Sequence, residues 1–333
     1  MGTRVLITGG TGVVGKYAAE SLHKQGHTVR IFSRNPQKYS WVKDLGLEHV
    51  SGDITDPAAV SAAMEGVTHV IHTVALVSLW PRRLPEMLKV NLEGTRNVLA
   101  ACKQHGVQRM IHLGALASVG EPNDPAITKV DETTPTHPRA DESEYTYSKR
   151  LANQAVQDAA QQGLSVVSVL PPLILGKGDW EGSSAAFFKL MHGGFSFYTD
   201  MRLPAVSADD LTYVITSLLF TQEYSGEKFY VTAGALSGKE MFGMIAQSMG
   251  KAVPRTQLPS GLLRVVGWLS EKISFLTNRE PLFTVASANV LTEKYPYEYS
   301  GEKVERILNF KYKPLPQAIA ETGKALLEEQ QKK

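Results

Sequence analysis

The sequence predicts an α/β protein: a doubly wound parallel sheet followed by a smaller α/β lobe. Three observations carry this expectation. Short apolar runs and helical stretches alternate through the first 175 residues. Most of those runs are apolar throughout, as in parallel strands covered on both faces. Beyond Gly176 the rhythm breaks. Right-handed crossovers then wind such a sheet in both directions. A chain of 333 residues is long for one small core and short for three domains. Two units are therefore expected, residues 1–175 and 176–333, with an approximate boundary and the chain free to cross back between them.

The elements follow in order. "RVLIT" is the first strand, followed by glycines and the helical "KYAAESLHKQG". "HTVRIFSR" and "LEHVSGD" are the next strands, "PAAVSAAMEG" is helical, and "THVIHTVA" is a fourth strand. A long helical stretch over 82–105 leads to a strand at 109; "EYTYSKRLANQAVQDAAQQG" is helical and "LSVVSVLPP" is again a strand. The second unit mixes short strands such as "KFYVTAG" with helices such as "ADDLTYVITSLLF" and "KEMFGMIAQSMG". The composition is that of a globular protein, 43% hydrophobic and 20% charged. A net charge of +2, with both signs mixed along the chain, gives no basic face for nucleic acid. The single Cys102 forms no internal disulfide, which fits a reducing compartment; no leader is read before the first strand, and a cytoplasmic location is expected. No apolar run reaches the length of a membrane span, and no metal site is assigned.

"VLITGGTGVVGKYAAE" places Gly9, Gly12 and Gly15 between the first strand and the first helix. Gly9 permits the tight turn, Gly12 lets backbone approach a diphosphate, and Gly15 lets helix and strand pack closely. The free N–H groups at the helix start favour an anion, and Thr11, Val13 and Val14 belong to the same candidate cofactor site. In this context, directly between strand and helix, the glycines point to a Rossmann-type dinucleotide site. An acid about 20 residues on would grip the adenosine ribose. Here the second strand ends instead in Ser33 and Arg34, with Lys38 nearby. A guanidinium suits a 2′-phosphate, so NADP(H) is expected over NAD(H). Asp53, with Ile54 after it, ends the third strand; its carboxylate would accept from the adenine amino group, or simply form a turn.

Tyr-x-x-x-Lys puts a phenol and an ammonium on one helix face, where the ammonium lowers the phenol's pKa and the phenol serves as general acid/base at a carbonyl. The spacing occurs four times, at Tyr39/Lys43, Tyr145/Lys149, Tyr224/Lys228 and Tyr299/Lys303. Context selects among them. Tyr39 lies beside the adenosine end, Tyr224 leads into a strand, and Tyr299 is expected to open a late helix of the second unit. Only Tyr145 begins a helix after the fifth strand.

With "TGGTGVVG", "GDITD", "VNLEGTRNV", "YTYSK" and "PPLILGKGD" in this order, the chain resembles the extended short-chain dehydrogenases/reductases. It is most similar to their 3β-hydroxysteroid dehydrogenase and dihydroflavonol reductase branch, and "LPAVSADDL" and "YSGEKVERILNFKYKPLPQAIAETGKALLE" extend the likeness over nearly the whole chain. The resemblance implies an NAD(P)(H)-binding Rossmann-type domain and a substrate-binding C-terminal lobe. It implies Tyr145 as general acid/base, and Lys149 holding the nicotinamide ribose and tuning Tyr145. Pro171 to Ile174 would line the nicotinamide, and Thr73, Val74 and Ala75 would pass under the cofactor. Asn91 would be mainly architectural. Homodimers through helices 82–105 and 145–163 are common in the wider family.

One position departs from the pattern. The family ends the strand at 109–113 in Ser-Ser or Thr-Ser, and the second Ser hydrogen-bonds the substrate carbonyl; here those positions are Gly114 and Ala115. Losing such a donor commonly costs roughly two to three orders of magnitude in rate. Ser118 is the candidate replacement donor, with a plain loop serine as the other reading. His112, mid-strand, is read as packed and hydrogen-bonded. Residues 177–205 and 259–276, with Trp80, are rich in apolar and aromatic side chains. They would wall an apolar pocket or serve as ordinary core. Leu262, Val266, Leu269, Ile273 and Leu276 share one helix face, and an amphipathic helix lying on a membrane is the weaker reading of that face. The sequence therefore reads as an NADP(H)-dependent oxidoreductase for an apolar ketone, aldehyde or secondary alcohol. Alternatives are a non-catalytic NADPH-binding sensor or assembly protein, kept open by Ala115, and a sugar-nucleotide epimerase, opposed by the apolar second lobe.

Overall fold

The computed structural model describes residues 2–35, 38–177, 185–277, 279–281 and 283–331. Seven parallel strands form the central sheet: β1 (Arg4–Thr8), β2 (Thr28–Ser33), β3 (Glu48–Ser51), β4 (His69–His72), β5 (Arg109–Leu113), β6 (Val166–Leu170) and, from the second half, β9 (Lys228–Tyr230). β7 (Leu173–Leu175), β8 (Arg202–Ser207) and β10 (Ala235–Ser237) make a second, three-stranded sheet. The order of the central sheet is β9-β6-β5-β4-β1-β2-β3. The chain winds outward from β1 in both directions, so the crevice beyond the carboxyl ends of β1 and β4 is the switch point where such sheets bind ligands.

The helices include α1 (Val13–Lys24), α2 (Pro57–Ala63), α3 (Gly94–Gln104), α4 (Glu144–Gln161) and α5 (Ala208–Leu219) against the central sheet, then α6 (Gly238–Ser248), α7 (Ser260–Thr277), α8 (Val285–Thr292), which the sequence did not lead us to expect, and α9 (Leu315–Gln331). Val5, Ile7, Ile31 and Ile111 point to one face, where they pack with Ala18 and Leu22 of α1 and Leu211, Ile215 and Leu218 of α5. Leu6, Phe32, Val70 and Met110 pack on the other face with Val98 of α3 and Val156 of α4. The alternation of the strands thus fills two cores, which is why the runs read as apolar throughout.

From beyond residue 176, α5 and β9 cover and extend the sheet of the first 175 residues, a crossing back that the sequence left open. One feature differs from the sequence expectation: the stretch 82–105 is not one regular helix. A short helical turn at Leu84–Met87 runs into a π-helical segment, Leu88–Glu93, before α3. That widened turn carries Asn91 inward, to 1% exposure.

Candidate active site

The glycine loop is built by backbone geometry. Gly9 holds φ at +76°, which disfavours any side chain, and a Cβ there would lie 2.8 Å from Thr73 Oγ1 and 2.9 Å from the Val74 nitrogen. The loop is thereby pressed against residues 73–74, where the Thr73 hydroxyl donates to the Thr8 carbonyl at 2.8 Å. At Gly15 a Cβ would meet the Gly9 carbonyl oxygen at 2.5 Å, so only glycine lets α1 start so close to β1. Gly12 is the N-cap of α1 and supplies no side-chain cap. A Cβ there would meet nothing nearer than 3.4 Å, leaving the loop surface open at the helix's positive end. At the end of β2 the buried Ser33 Oγ has no hydrogen-bond partner among the described residues, and Arg34 beside it is exposed. A dinucleotide fits this site: the helix start is open with free backbone N–H groups, and the neighbouring strand β2 ends in an orphaned hydroxyl and a cation. Asp53 is a turn former first. Its Oδ1 accepts from the Thr55 backbone at 2.9 Å and hydroxyl at 2.8 Å. Those bonds, and more weakly Arg34, hold its carboxyl below the usual range. Ile54 is buried, and its carbonyl accepts from Asn97 at 3.0 Å. Ala75 is exposed at the far end of the 73–75 segment.

Tyr145 is the second residue of α4, and Ser143 caps that helix by accepting from the Thr146 backbone. One turn on, Lys149 is 2% exposed and its Nζ donates to the Leu113 carbonyl at 2.7 Å, pinning α4 to the end of β5. Burial pulls the Lys149 ammonium down to about 8 and pushes the Tyr145 phenol up to about 12. The ammonium is committed to a backbone carbonyl, and burial is the dominant influence on both groups, so at neutral pH the phenol holds its proton.

Beneath this pair, Thr8, His72, His112 and Ser168 stand in register across β1, β4, β5 and β6. His72 Nδ1 lies 2.6 Å from the Thr8 hydroxyl and Nε2 lies 3.0 Å from Thr95 Oγ1. The Thr95 hydroxyl donates to the Asn91 carbonyl at 2.6 Å, so it accepts from His72, fixing the Nε2–H tautomer. Burial pulls His72 down to about 3 and His112 well below the usual imidazole range, so both rings are neutral. His112 is packed as expected, stacked at 5.5 Å on His72, and the Asn153 side chain faces its ring as a polar neighbour, outside strict hydrogen-bond geometry. Asn91 accepts from the Leu76 backbone at 2.7 Å, and its Nδ2 donates to the Leu76 carbonyl and to Ser148 Oγ. Ser148 in turn donates to the Tyr145 carbonyl at 2.7 Å. One side chain thus joins the loop after β4 to the first turn of α4.

The loop after β5 explains half of its departure from the family pattern. A Cβ on Gly114 would lie 2.0 Å from Leu170 Cδ2 and 2.7 Å from Asn153 Oδ1, so a serine or threonine here would require those two side chains to move. Ala115 is buried. Ser118, the candidate replacement donor, is engaged elsewhere: its hydroxyl proton goes to the Ala115 carbonyl at 2.6 Å, and its oxygen accepts from Asn153 at 2.6 Å. Asn153 is two turns beyond Tyr145 on α4. Of the other Tyr/Lys pairs, Tyr299 sits in a short strand, Glu298–Tyr299, not at a helix start. Its hydroxyl donates to the Gly120 carbonyl at 2.8 Å, with Tyr297 alongside at 3.3 Å. The second unit thereby anchors the loop that carries Ala115, a link the sequence did not reveal. Pro171 lies at the other side of that loop, its carbonyl accepting from the Leu116 backbone at 2.9 Å. Ile174 pairs with Val206 and packs on the first core.

The expected apolar wall does not assemble as read. Residues 178–184, Trp180 among them, lie outside the described residues. Phe188, Met191 and Met201 are core, packed with Phe242 and Ile319. Leu262, Val266, Leu269, Ile273 and Leu276 point to solvent, because α7 turns Leu263, Gly267 and Ser274 inward. A Cβ at Gly267 would meet the Thr284 carbonyl oxygen at 2.6 Å, so this glycine sets the inward face against the start of α8.

A switch-point crevice, a glycine loop open to a dinucleotide and a Tyr/Lys pair on one helix turn define a coenzyme-binding α/β protein. Residues 5–193, more than half of the chain, match the NAD dependent epimerase/dehydratase family, and the chain belongs to it, among the extended short-chain dehydrogenases/reductases. The chain is similar to sterol demethylase protein B of Methylococcus capsulatus, at 26% identity over 86% of this chain and 87% of that one. It is also similar to 3-beta-hydroxysteroid dehydrogenase of Mycolicibacterium neoaurum, at 27% identity over 80% and 76%. Among solved structures, that of gox2253 superposes with a TM-score of 0.81 and 26% identity, covering 98% of both chains.

Proposed function

We propose that the chain is an NADP(H)-dependent oxidoreductase that interconverts an apolar ketone or aldehyde and the corresponding alcohol. The observation that carries it is Lys149 pinned to the end of β5 one turn from Tyr145. Gly9, Thr11, Gly12, Val13 and Val14 would hold the diphosphate; Ser33 and Arg34 would hold a 2′-phosphate, and Asp53 and Ile54 would flank the adenine. Thr73 to Ala75 and Pro171 to Ile174 would border the nicotinamide. The bound coenzyme would supply or accept the hydride. Tyr145, protonated at neutral pH, would donate its proton to the carbonyl oxygen of a substrate being reduced. Lys149 would reach the nicotinamide ribose by exchanging its bond to Leu113. The apolar substrate class is supported by relatives named for sterol and steroid chemistry. The homodimer belongs to the same proposal, supported by a groove of about 620 Å³ between α3 and α4, lined by Leu99, Ala155 and Ala159. The cytoplasmic location is supported only by the lone buried Cys102.

Ala115 and the committed Ser118 favour a second reading, a coenzyme-binding sensor without turnover. Oxidation of NADPH and NADH across a panel of apolar ketones separates the two. The oxidoreductase turns over NADPH in preference to NADH. Arg34→Ala weakens NADPH binding roughly tenfold while leaving NADH within about twofold. Tight NADPH binding with no turnover on any ketone establishes the sensor instead, and equal affinity for both coenzymes removes Arg34 from the site.

A further inference from the structure

The apolar surface of α7 faces out of the molecule. Val265, Trp268, Leu269, Ile273 and Leu276 are all exposed, Trp268 at 52% and Leu276 at 85%. On α7 itself the outward charged side chains are both cations, Arg264 and Lys272, and Arg264 also lies near enough to the Asp141 carboxylate to help lower its pKa. The helix's one acid, Glu271, is turned to α8, where it accepts from the Val285 backbone at 2.8 Å. Lys272 Nζ lies 5.6 Å over the Trp268 ring, and the Arg82 guanidinium lies 4.2 Å over Phe275. From this geometry we infer that α7 is an interfacial helix that docks the protein on a lipid bilayer bearing anionic headgroups.

The charge and shape of the face choose this occupant over a second copy of the chain. The exposed apolar side chains span about half of the helix circumference, wider than the stripe a paired helix buries. Two facing α7 helices would bring Arg264 and Lys272 together, while the helix's own acid, Glu271, is turned to α8. A bilayer takes the whole arc: apolar side chains enter the acyl boundary, Trp268 sits at headgroup depth, and the stems of Lys272 and Arg264 extend to the phosphates. No helix among the described residues is long and apolar enough to cross a membrane, so the contact is one of lying on the surface. Docking also has a place in the proposed reaction. Glu280, just past α7, accepts from Ser78 at 3.2 Å and pairs with Arg83 at 3.6 Å. α7 is thereby tied to the loop after β4, whose Val77 is exposed and whose Leu76 is held by Asn91. An apolar ketone dissolved in the bilayer would then reach the crevice without crossing water. This last step rests on the proposed substrate class; the docking itself does not.

Co-sedimentation of the purified full chain with vesicles tests it. Vesicles of phosphatidylcholine and phosphatidylglycerol should bind the protein several-fold more tightly than phosphatidylcholine alone, and salt should weaken the difference. Leu269→Glu combined with Ile273→Glu should lower partitioning at least tenfold. Both positions are exposed, and unchanged circular dichroism and melting would show that the variant folds. Bromolipid quenching of tryptophan fluorescence should fall in Trp268→Phe. Failure to bind either vesicle overturns the inference, as does binding that the double variant leaves unchanged. So does a double variant that dissociates a dimer in the ultracentrifuge while wild type ignores lipid. None of these readings uses turnover, so loss of the redox proposal and loss of membrane docking are told apart.

Discussion

Lys149 bears an energetic burden that its proposed role explains. It is nearly inaccessible, has one backbone carbonyl as its hydrogen-bond partner, and has its ammonium drawn from 10.5 to about 8. Below pH 8 both folded and unfolded chains hold the proton, and the folded state carries the full desolvation cost. Between about 8 and 10.5 the unfolded chain binds more protons, so this group makes stability rise with pH through that window. Lys149→Met should therefore stabilise the protein at pH 7 by about 1–3 kcal/mol, after allowing for the abandoned Leu113 carbonyl. The advantage should disappear by pH 10.5, as followed by urea unfolding at several pH values. A variant less stable than wild type at pH 7 would show that the ammonium is better compensated than its contacts indicate. Ala115→Ser asks the complementary question. If the missing donor limits turnover, NADPH oxidation should rise by ten- to a thousandfold; an unchanged rate would assign carbonyl polarisation to Tyr145 alone.

At the scale of elements, Asn91 shows how a local irregularity serves the site. The π-helical turn at Leu88–Glu93 swings its amide between the Leu76 backbone and Ser148. Asn91→Ala leaves a backbone N–H and a carbonyl unpaired and should cost about 2–4 kcal/mol, read as a lowered melting temperature. It should also weaken NADPH binding, because the 73–75 segment leads into the freed loop. An unaltered melting temperature would contradict the clamp. The π turn was not legible in the sequence, since 82–105 keeps an ordinary helical rhythm and the extra residue per turn leaves no compositional mark. The central strands were legible because burial on both faces makes them continuously apolar. For α7 the pattern revealed an apolar stripe but not its direction. Periodicity says which residues share a face; Gly267, by admitting the Thr284 carbonyl, decides which face turns inward.

Across the whole molecule, the site is assembled from distant segments, and legibility follows sequence distance. The glycine loop and the Tyr145/Lys149 pair are local patterns and could be read directly. The His72–His112–Ser168 row is set by strand register, and the Tyr297 and Tyr299 bonds to Gly120 join residues almost 180 apart. No short window contains them. The return of α5 and β9 to the sheet of the first unit is likewise a tertiary fact. The most direct measurement of the crevice's chemistry is single-turnover hydride transfer from NADPH to an apolar ketone in wild type and Tyr145→Phe. Coenzyme binding should be the same in both, while the transfer rate falls by about two to four orders of magnitude in the variant. Equal rates in the two proteins would remove Tyr145, and with it the proposed reaction, from the site.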